Sequence, residues 1–272
     1  MFKESITRLP ENGNLIPAQR YDLIQKHLAS YKIATYTSLA ELLKVSESTV
    51  RRDLEWMEQQ GILERTRGGA ILNQHIRAEA EYIKRAERLI EEKSLIGKAS
   101  AALLEPGDVV FMNSGTTTAQ VIKHINGIPN VTVITNNTFP LTESRDLDFE
   151  LVVIGGTYLP LSKAIVGPFS TDNLDRLYAT KCFIGVEGIS LKYGCTVSTF
   201  AEAEIIRLMI EHTQEQVIIV ADHTKWGSVS NHLIARIDQI HTLVTDEGFD
   251  VNARISLLGR SVDVIVARKS KN

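Results

Sequence analysis

The chain has 272 residues, 43% hydrophobic and 23% charged, which suits a small domain joined to a larger one with a real core. Net charge is −3, and residues 1–72 carry ten Lys/Arg against nine Asp/Glu, so any nucleic-acid surface must come from where charges sit. Cys182 and Cys195 are too few and too widely spaced for a disulfide framework or a metal site, no cofactor motif is legible, and no apolar run reaches the ~20 residues that cross a bilayer. The first residues lack the apolar core of a signal peptide, and the expectation is a cytoplasmic protein without metal or cofactor.

Residues 1–15 read as a flexible extension. A helix is expected from Pro17, because proline suits a first helical position and Tyr21, Ile24 and Leu28 form one apolar stripe. A second helix is expected to start at Ser38, where Ser38-Leu39-Ala40-Glu41 has the form of a capping box; Leu39, Leu42 and Leu43 make its inner face. Ser46 then caps a third helix that runs to about Gln60, and Gly61 supplies a left-handed stop. Ile62-Leu63 pairs with Ala70-Ile71-Leu72 in a hairpin, with Arg65 and Arg67 near a tip bent at Gly68-Gly69.

On a helical wheel Val50, Leu54 and Met57 share one narrow face of the third helix. Ser48 and Arg52 lie nearly opposite, with Thr49 and Arg51 on the flanks. A helix that enters the DNA major groove needs such an outer face near its amino end: arginine reads guanine edges, and hydroxyls reach phosphates or bases. The hairpin would bring Arg65 and Arg67 to the phosphate backbone as a wing. The bland alternative is a solvated helix whose arginines pair with Asp53 and Glu55. Three helices, a tight turn and a basic wing in order favour a winged helix-turn-helix over residues 16–72.

This stretch resembles the DeoR family of bacterial transcriptional repressors, through Val45-Ser46-x-x-Thr49-Val50-Arg51-Arg52-Asp53-Leu54 and the Gly-Gly-Ala wing. The resemblance implies that Ser46, Ser48, Thr49, Arg51, Arg52, Arg65, Arg67, Gly68 and Gly69 form the surface that meets double-stranded operator DNA.

Residues 73–93 read as a charged, partly helical linker, and a further helix is expected to reach Leu104. From there short β-branched runs alternate with helices. Strands are expected at 109–112, 131–135, 151–154, 182–186, 216–221, 240–245 and 262–267, with helices at 117–125 and 201–213. That order predicts a parallel sheet covered on both faces, an α/β domain over residues 94–272. In such sheets ligands bind at the carboxyl ends of strands. The turns there are polar or glycine-rich: Asn113-Ser114-Gly115-Thr116-Thr117-Thr118 before a helix, Asn136-Asn137, Gly155-Gly156, Glu187-Gly188 and Asp222-His223-Thr224-Lys225. Free N–H groups at a helix start bind anions, amides and carboxylates bind hydroxyls, and Lys225 can meet a phosphate. Singly, each residue reads as an ordinary turn; together they predict a pocket for a small polyhydroxy anion.

This half also is similar to the DeoR family, whose ligand domain is ribose-5-phosphate-isomerase-like; Glu92-Lys93, Gly185-Val186-Glu187-Gly188-Ile189, Glu202-Ala203-Glu204 and the Asp222–Lys225 turn carry the likeness. It implies a phosphorylated sugar effector that relieves repression, Glu202 among the ligand residues, and a homodimer or homotetramer. Three positions depart: Asn113, Glu187 and Ser190 stand where the family commonly has aspartate. The isomerase itself needs clustered carboxylates and a lysine loop, whereas Tyr193-Gly194-Cys195-Thr196 has no lysine. An isomerase with a DNA-binding head is thus the weaker reading. The sign of regulation, repressor or activator, is left open by the residues themselves.

Overall fold

The computed structural model describes residues 15–142 and 147–269; the extension expected over residues 1–15 lies, but for Leu15, outside the described residues. The chain divides into two compact units, Met1–Glu81 and Tyr82–Asn272.

The first unit runs α1 (Pro17–Tyr31), β1 (Ile33–Thr35), α2 (Tyr36–Leu43), α3 (Glu47–Gln59), β2 (Leu63–Thr66) and β3 (Gly69–Leu72), then enters α4 (Gln74–Glu87). Ile24, Leu28, Leu39, Leu43, Val50, Leu54, Met57 and Leu63 are buried together. Each such side chain contributes ~1.5–3 kcal/mol by leaving water. Pro17 opens α1, and Ser46 caps α3 by accepting from the Thr49 N–H at 3.2 Å, as expected. Gly61 ends that helix region at φ +70°.

Two local expectations fail. The cap of α2 is Thr35, not Ser38: Thr35 Oγ1 accepts from the Ser38 N–H at 3.1 Å, and the Thr35 N–H donates to Ser38 Oγ at 3.0 Å. The short strand β1 ends at Thr35, so the chain is already extended there, as a cap requires, and Ser38 becomes the reciprocal partner one turn in. The hairpin bends at Arg67-Gly68, because Thr66 already pairs with Gly69. Gly69 lies inside the sheet, whose order is β1-β3-β2. A Cβ on Gly69 would fall 1.8 Å from the Ala34 carbonyl oxygen, so the glycine is required by the close approach of β1.

The second unit takes the rest of α4, passes a left-handed Leu89 (φ 53°) and continues as α5 (Ile90–Ala101). It ends three residues short of the expected Leu104. There follow β4 (Val109–Met112), α6 (Thr116–His124), β5 (Thr132–Thr135), β6 (Glu150–Val153), β7 (Thr157–Leu159), β8 (Ala164–Val166), α7 (Pro168–Leu174), β9 (Ala179–Gly185), β10 (Gly188–Ser190), β11 (Gly194–Val197), α8 (Phe200–Glu211), β12 (Thr213–Val220), β13 (His232–Ala235), β14 (Thr242–Asp246), α9 (Val251–Leu258) and β15 (Asp263–Ala267).

Seven strands form one parallel sheet in the order β15-β14-β12-β9-β4-β5-β6, and they are the seven expected runs. Alternate residues enter opposite layers: Phe111, Cys182, Ile184 and Ile219 on one face, Val110, Met112, Phe183 and Ile218 on the other. That is why the strands read as continuous apolar runs. The connections reverse direction between β4 and β9, which opens a crevice at their carboxyl ends. The hairpin β7-β8 and the small antiparallel sheet β10-β11-β13 stand outside the expectation. Cys182 and Cys195 are both buried, and burial pushes each thiol up to about 12.

Candidate functional site

In the first unit α2 and α3 meet at a tight turn whose Lys44 is left-handed (φ 54°). Val50, Leu54 and Met57 face the core, so Ser48, Arg51 and Arg52 are exposed on the other side. The three hydroxyls cluster at the start of α3: Ser46 Oγ lies 2.8 Å from Ser48 Oγ and 3.0 Å from Thr49 Oγ1. The pairing of these arginines with Asp53 or Glu55 does not occur. Asp53 is buried and held by Arg20, Nε to Oδ2 at 2.6 Å and Nη2 to Oδ1 at 2.8 Å. Arg51 lies 4.0 Å over the Tyr36 ring and 3.9 Å from Glu47, and Arg52 only grazes the Ser48 carbonyl at 3.5 Å. Within the wing the two arginines differ. Arg65 is committed to Glu58 through its N–H at 3.0 Å and its Nε at 2.7 Å, which raises the guanidinium's affinity for its proton and holds the carboxyl low. Arg67 is exposed and has no ion pair among the described residues. A Cβ on Gly68 would meet nothing within 4 Å, and its φ is not positive, so nothing inside the chain demands a glycine there.

In the second unit the predicted turns come together, because β12, β9, β4, β5 and β6 are consecutive neighbours and end on one side. Hydrogen bonds link them. Asn113 Nδ2 donates to the Gly185 carbonyl at 2.9 Å, and its Oδ1 accepts from the Gly185 N–H at 2.8 Å. Asn113 therefore ties the end of β4 to β9 through one amide N–H and one lone pair of its oxygen, which leaves a second N–H and a second lone pair. Asn136 accepts from the Ser114 N–H at 2.9 Å and donates to the Ile165 carbonyl at 3.0 Å. Asn137 donates to the Gly115 carbonyl at 3.4 Å and accepts from the Phe139 N–H. Thr118 Oγ1 donates to the Asn113 carbonyl at 2.8 Å. Glu202 takes Thr199 Oγ1 at 2.6 Å and Ser114 Oγ at 3.5 Å; Glu187 takes Ser198 Oγ at 2.8 Å and Ser230 Oγ at 3.2 Å. The Gly155 carbonyl accepts from Ser170 Oγ at 2.8 Å, and Gly156 is crowded by the same serine.

What stays open is narrower than the sequence suggested. Helix α6 starts at Thr116 with no side-chain cap, beside Gly115 and the buried Thr117. Lys225 closes the turn after β12, which Asp222 caps through the Thr224 N–H at 3.0 Å. Lys93 was not among the expected site residues, although Glu92-Lys93 was part of the likeness, and it lies within electrostatic reach of Asp222 and Lys225. Lys93 is 5% exposed, and its ammonium donates to the Arg85 carbonyl. Burial pushes that ammonium down to about 8; Asp222 opposes the shift, while Lys225, Arg85 and Arg88 add to it. A buried ammonium crowded by three more cations favours an anion beside it. Its position at the end of the strongly charged stretch 73–93, read as a linker, gave no signal that it would be buried. A surface hollow of about 520 Å³, lined by Leu191, Tyr193, Val229, Leu233 and Arg236, takes in none of the expected ligand residues.

The DeoR-like helix-turn-helix domain matches residues 20–75, and the DeoR C terminal sensor domain matches residues 88–247. The chain belongs to the DeoR family. It is 34% identical over 229 residues to the HTH-type transcriptional repressor GlcR of Bacillus subtilis (strain 168), covering 84% of this chain and 88% of that one. To the HTH-type transcriptional regulator GlpR of Haloferax volcanii it is 29% identical over 251 residues, covering 92% and 98%. Among solved structures, ribose 5-phosphate isomerase A of Methanocaldococcus jannaschii aligns with 50% of this chain and 54% of its own, at 14% identity and a TM-score of 0.37, too loose a likeness to argue from. As a DeoR-family protein the chain is a DNA-binding transcription regulator, with a helix-turn-helix amino-terminal part and an α/β sensor carrying a parallel sheet. No helix among the described residues is long and apolar enough to cross a membrane.

Proposed function

We propose that the chain is a repressor of carbohydrate-use genes whose hold on operator DNA is relaxed by a phosphorylated sugar. The observation that carries the effector class is Lys93: a buried ammonium without a carboxylate ion pair among the described residues, within electrostatic reach of Lys225, Arg85 and Arg88. The phosphate would take Lys93, Lys225 and the uncapped start of α6, and the hydroxyls would meet Glu187, Glu202 and the threonines. The relatives named repressor or regulator agree with this reading. Its DNA-facing set is Ser46, Ser48, Thr49, Arg51, Arg52, Arg67 and Gly68, with Arg65 restrained by Glu58.

The reading includes a cytoplasmic protein that works as a homodimer or homotetramer, since paired heads suit repeated half-sites. Residues 16–72 would read DNA, 94–272 would sense, and 73–93 would carry the signal. Catalysis is not part of the proposal: Glu202 is already engaged by Thr199 and Ser114, and the Tyr193–Thr196 loop offers no lysine. The effector must bind the DNA-competent and DNA-incompetent states unequally to act at all.

The test is a gel shift of the full chain on the DNA upstream of its gene, against a panel of sugar phosphates and the same sugars without phosphate. Release by at least one phosphorylated sugar, and by no free sugar, is expected. A panel in which nothing changes the shift refutes the effector class.

A further inference from the structure

Helix α3 carries an aromatic residue that the reading face does not use. Trp56 is 42% exposed, and its ring stacks on Tyr21 of α1 with centroids 4.4 Å apart and planes 11° from parallel. The stack sits on a rigid base. Arg20, next to Tyr21, grips the buried Asp53, three residues before Trp56, and its Nη1 donates to the Leu15 carbonyl at 2.7 Å. The two rings therefore have little freedom to move apart.

Position gives the pair its meaning. Trp56 follows Arg52 by four residues and Thr49 by seven, so the three share one flank of α3. The exposed ring continues the surface that the helix-turn-helix presents to DNA. Chemistry agrees: the stack carries two neutral donors, the Tyr21 hydroxyl and the Trp56 indole N–H. Neutral donors on an apolar platform fit a sugar-phosphate backbone, where ring faces meet deoxyribose and O–H or N–H meets a phosphate oxygen.

We propose that the Tyr21–Trp56 pair is a second DNA contact, seated on the sugar-phosphate backbone at the edge of the groove that α3 enters. The inference rests on the reading that α3 faces DNA through Arg52. The contact fixes the depth and tilt of α3 and carries no base preference of its own. Because the donors are neutral, it releases no counterion on binding.

The experiment uses the full chain with two duplexes, the DNA upstream of its gene and an unrelated sequence of equal length. Y21F keeps the stacked ring and removes only the hydroxyl. It should weaken binding to both duplexes by roughly threefold to tenfold, as the loss of one hydrogen bond does. The salt slope should stay at its wild-type value, whereas R67A should lower it by about one. Acrylamide quenching, taken as the difference between wild type and W56F, should report Trp56 shielded when duplex is added. If W56F does not fold, W226F, whose one remaining tryptophan is Trp56, supplies the quenching, and with the Y21F affinities it still decides the matter. R52A runs in parallel. Weakened binding by R52A, together with unchanged Y21F affinity and an unshielded Trp56, overturns the proposal and leaves the reading face standing. Normal binding by R52A takes down both. Shielding that grows with protein concentration in the absence of DNA assigns the pair to a second copy of the chain, which also overturns it.

Discussion

The two units treat their polar groups in opposite ways. On the outer side of α3 and in the wing, arginines are exposed and loosely held: Arg52 touches its own helix at 3.5 Å, and Arg67 has no ion pair among the described residues. In the sensor crevice many side chains expected to meet the ligand are already hydrogen-bonded inside the fold, as Asn113 is to Gly185 and Glu187 is to two serines. On the proposed reading the difference follows from the ligands. Duplex DNA presents a long anionic surface that exposed cations can adjust to, and much of the gain is counterion release. A small sugar phosphate offers few contacts, so the groups around it must be held in place beforehand.

The largest expected effect tests the base under the reading face. Asp53→Leu leaves the half-buried Arg20 guanidinium without its partner and should cost about 3 kcal/mol in urea unfolding of the first unit. A loss below about 1 kcal/mol would mean that the pair does not position α3. The crevice has its counterpart in Asn113→Asp, which restores the residue common in the family but removes the donor to the Gly185 carbonyl. About 1–3 kcal/mol should be lost by the same measurement, and unchanged stability would show that Asn113 is free to serve the ligand instead.

Glycines sharpen the contrast within the wing. Gly69→Ala should destabilise the first unit by roughly 1–3 kcal/mol because its Cβ collides with the Ala34 carbonyl, while Gly68→Ala should stay within about 0.5 kcal/mol. Equal effects would place the turn elsewhere. Arg52→Ala should weaken specific binding by roughly 1–3 kcal/mol with unfolding unchanged, the reverse of the Asp53 result. Lys225→Ala should blunt the sugar-phosphate response and leave DNA affinity as it is; an unchanged dose curve would remove Lys225 from the phosphate site.

The smallest effect is in pH. With Lys93 at about 8, the group is charged below that value. An anion prefers the charged form, so effector affinity should change little from about pH 7 to 8 and fall as pH rises further. The same depressed value means the folded state gives up this proton before the unfolded chain does. Stability should therefore rise as pH climbs from about 8 toward the ordinary lysine value near ~10.4. A flat affinity profile through about pH 9 would take Lys93 out of the phosphate contact.

Much of this architecture was readable from local pattern. The Val50/Leu54/Met57 spacing gave the buried face of α3 and hence its outer face, and Ser46 and Gly61 gave its ends, because helix periodicity and capping are properties of a few adjacent residues. The parallel sheet was readable because strands buried on both faces cannot alternate and so stand out as apolar runs. Strand β1, with three residues, was too short to show a period, and missing it displaced both the cap of α2 and the role of Gly69. Arg20 and Asp53 are 33 positions apart, and no local rule pairs them. Asn113 read as a ligand residue because its turn is polar; that its amide also bonds Gly185, 72 positions away, depends on which strands lie side by side.

By itself the order of residues determined the elements, the class of each unit and the side of α3 that faces outward, since these rest on interactions within one or two turns or along one strand. Only the tertiary structure decided which polar groups remain available. Availability depends on what arrives from distant parts of the chain: Arg20 to occupy Asp53, Gly185 to engage Asn113, and enough surrounding protein to strip water from Lys93.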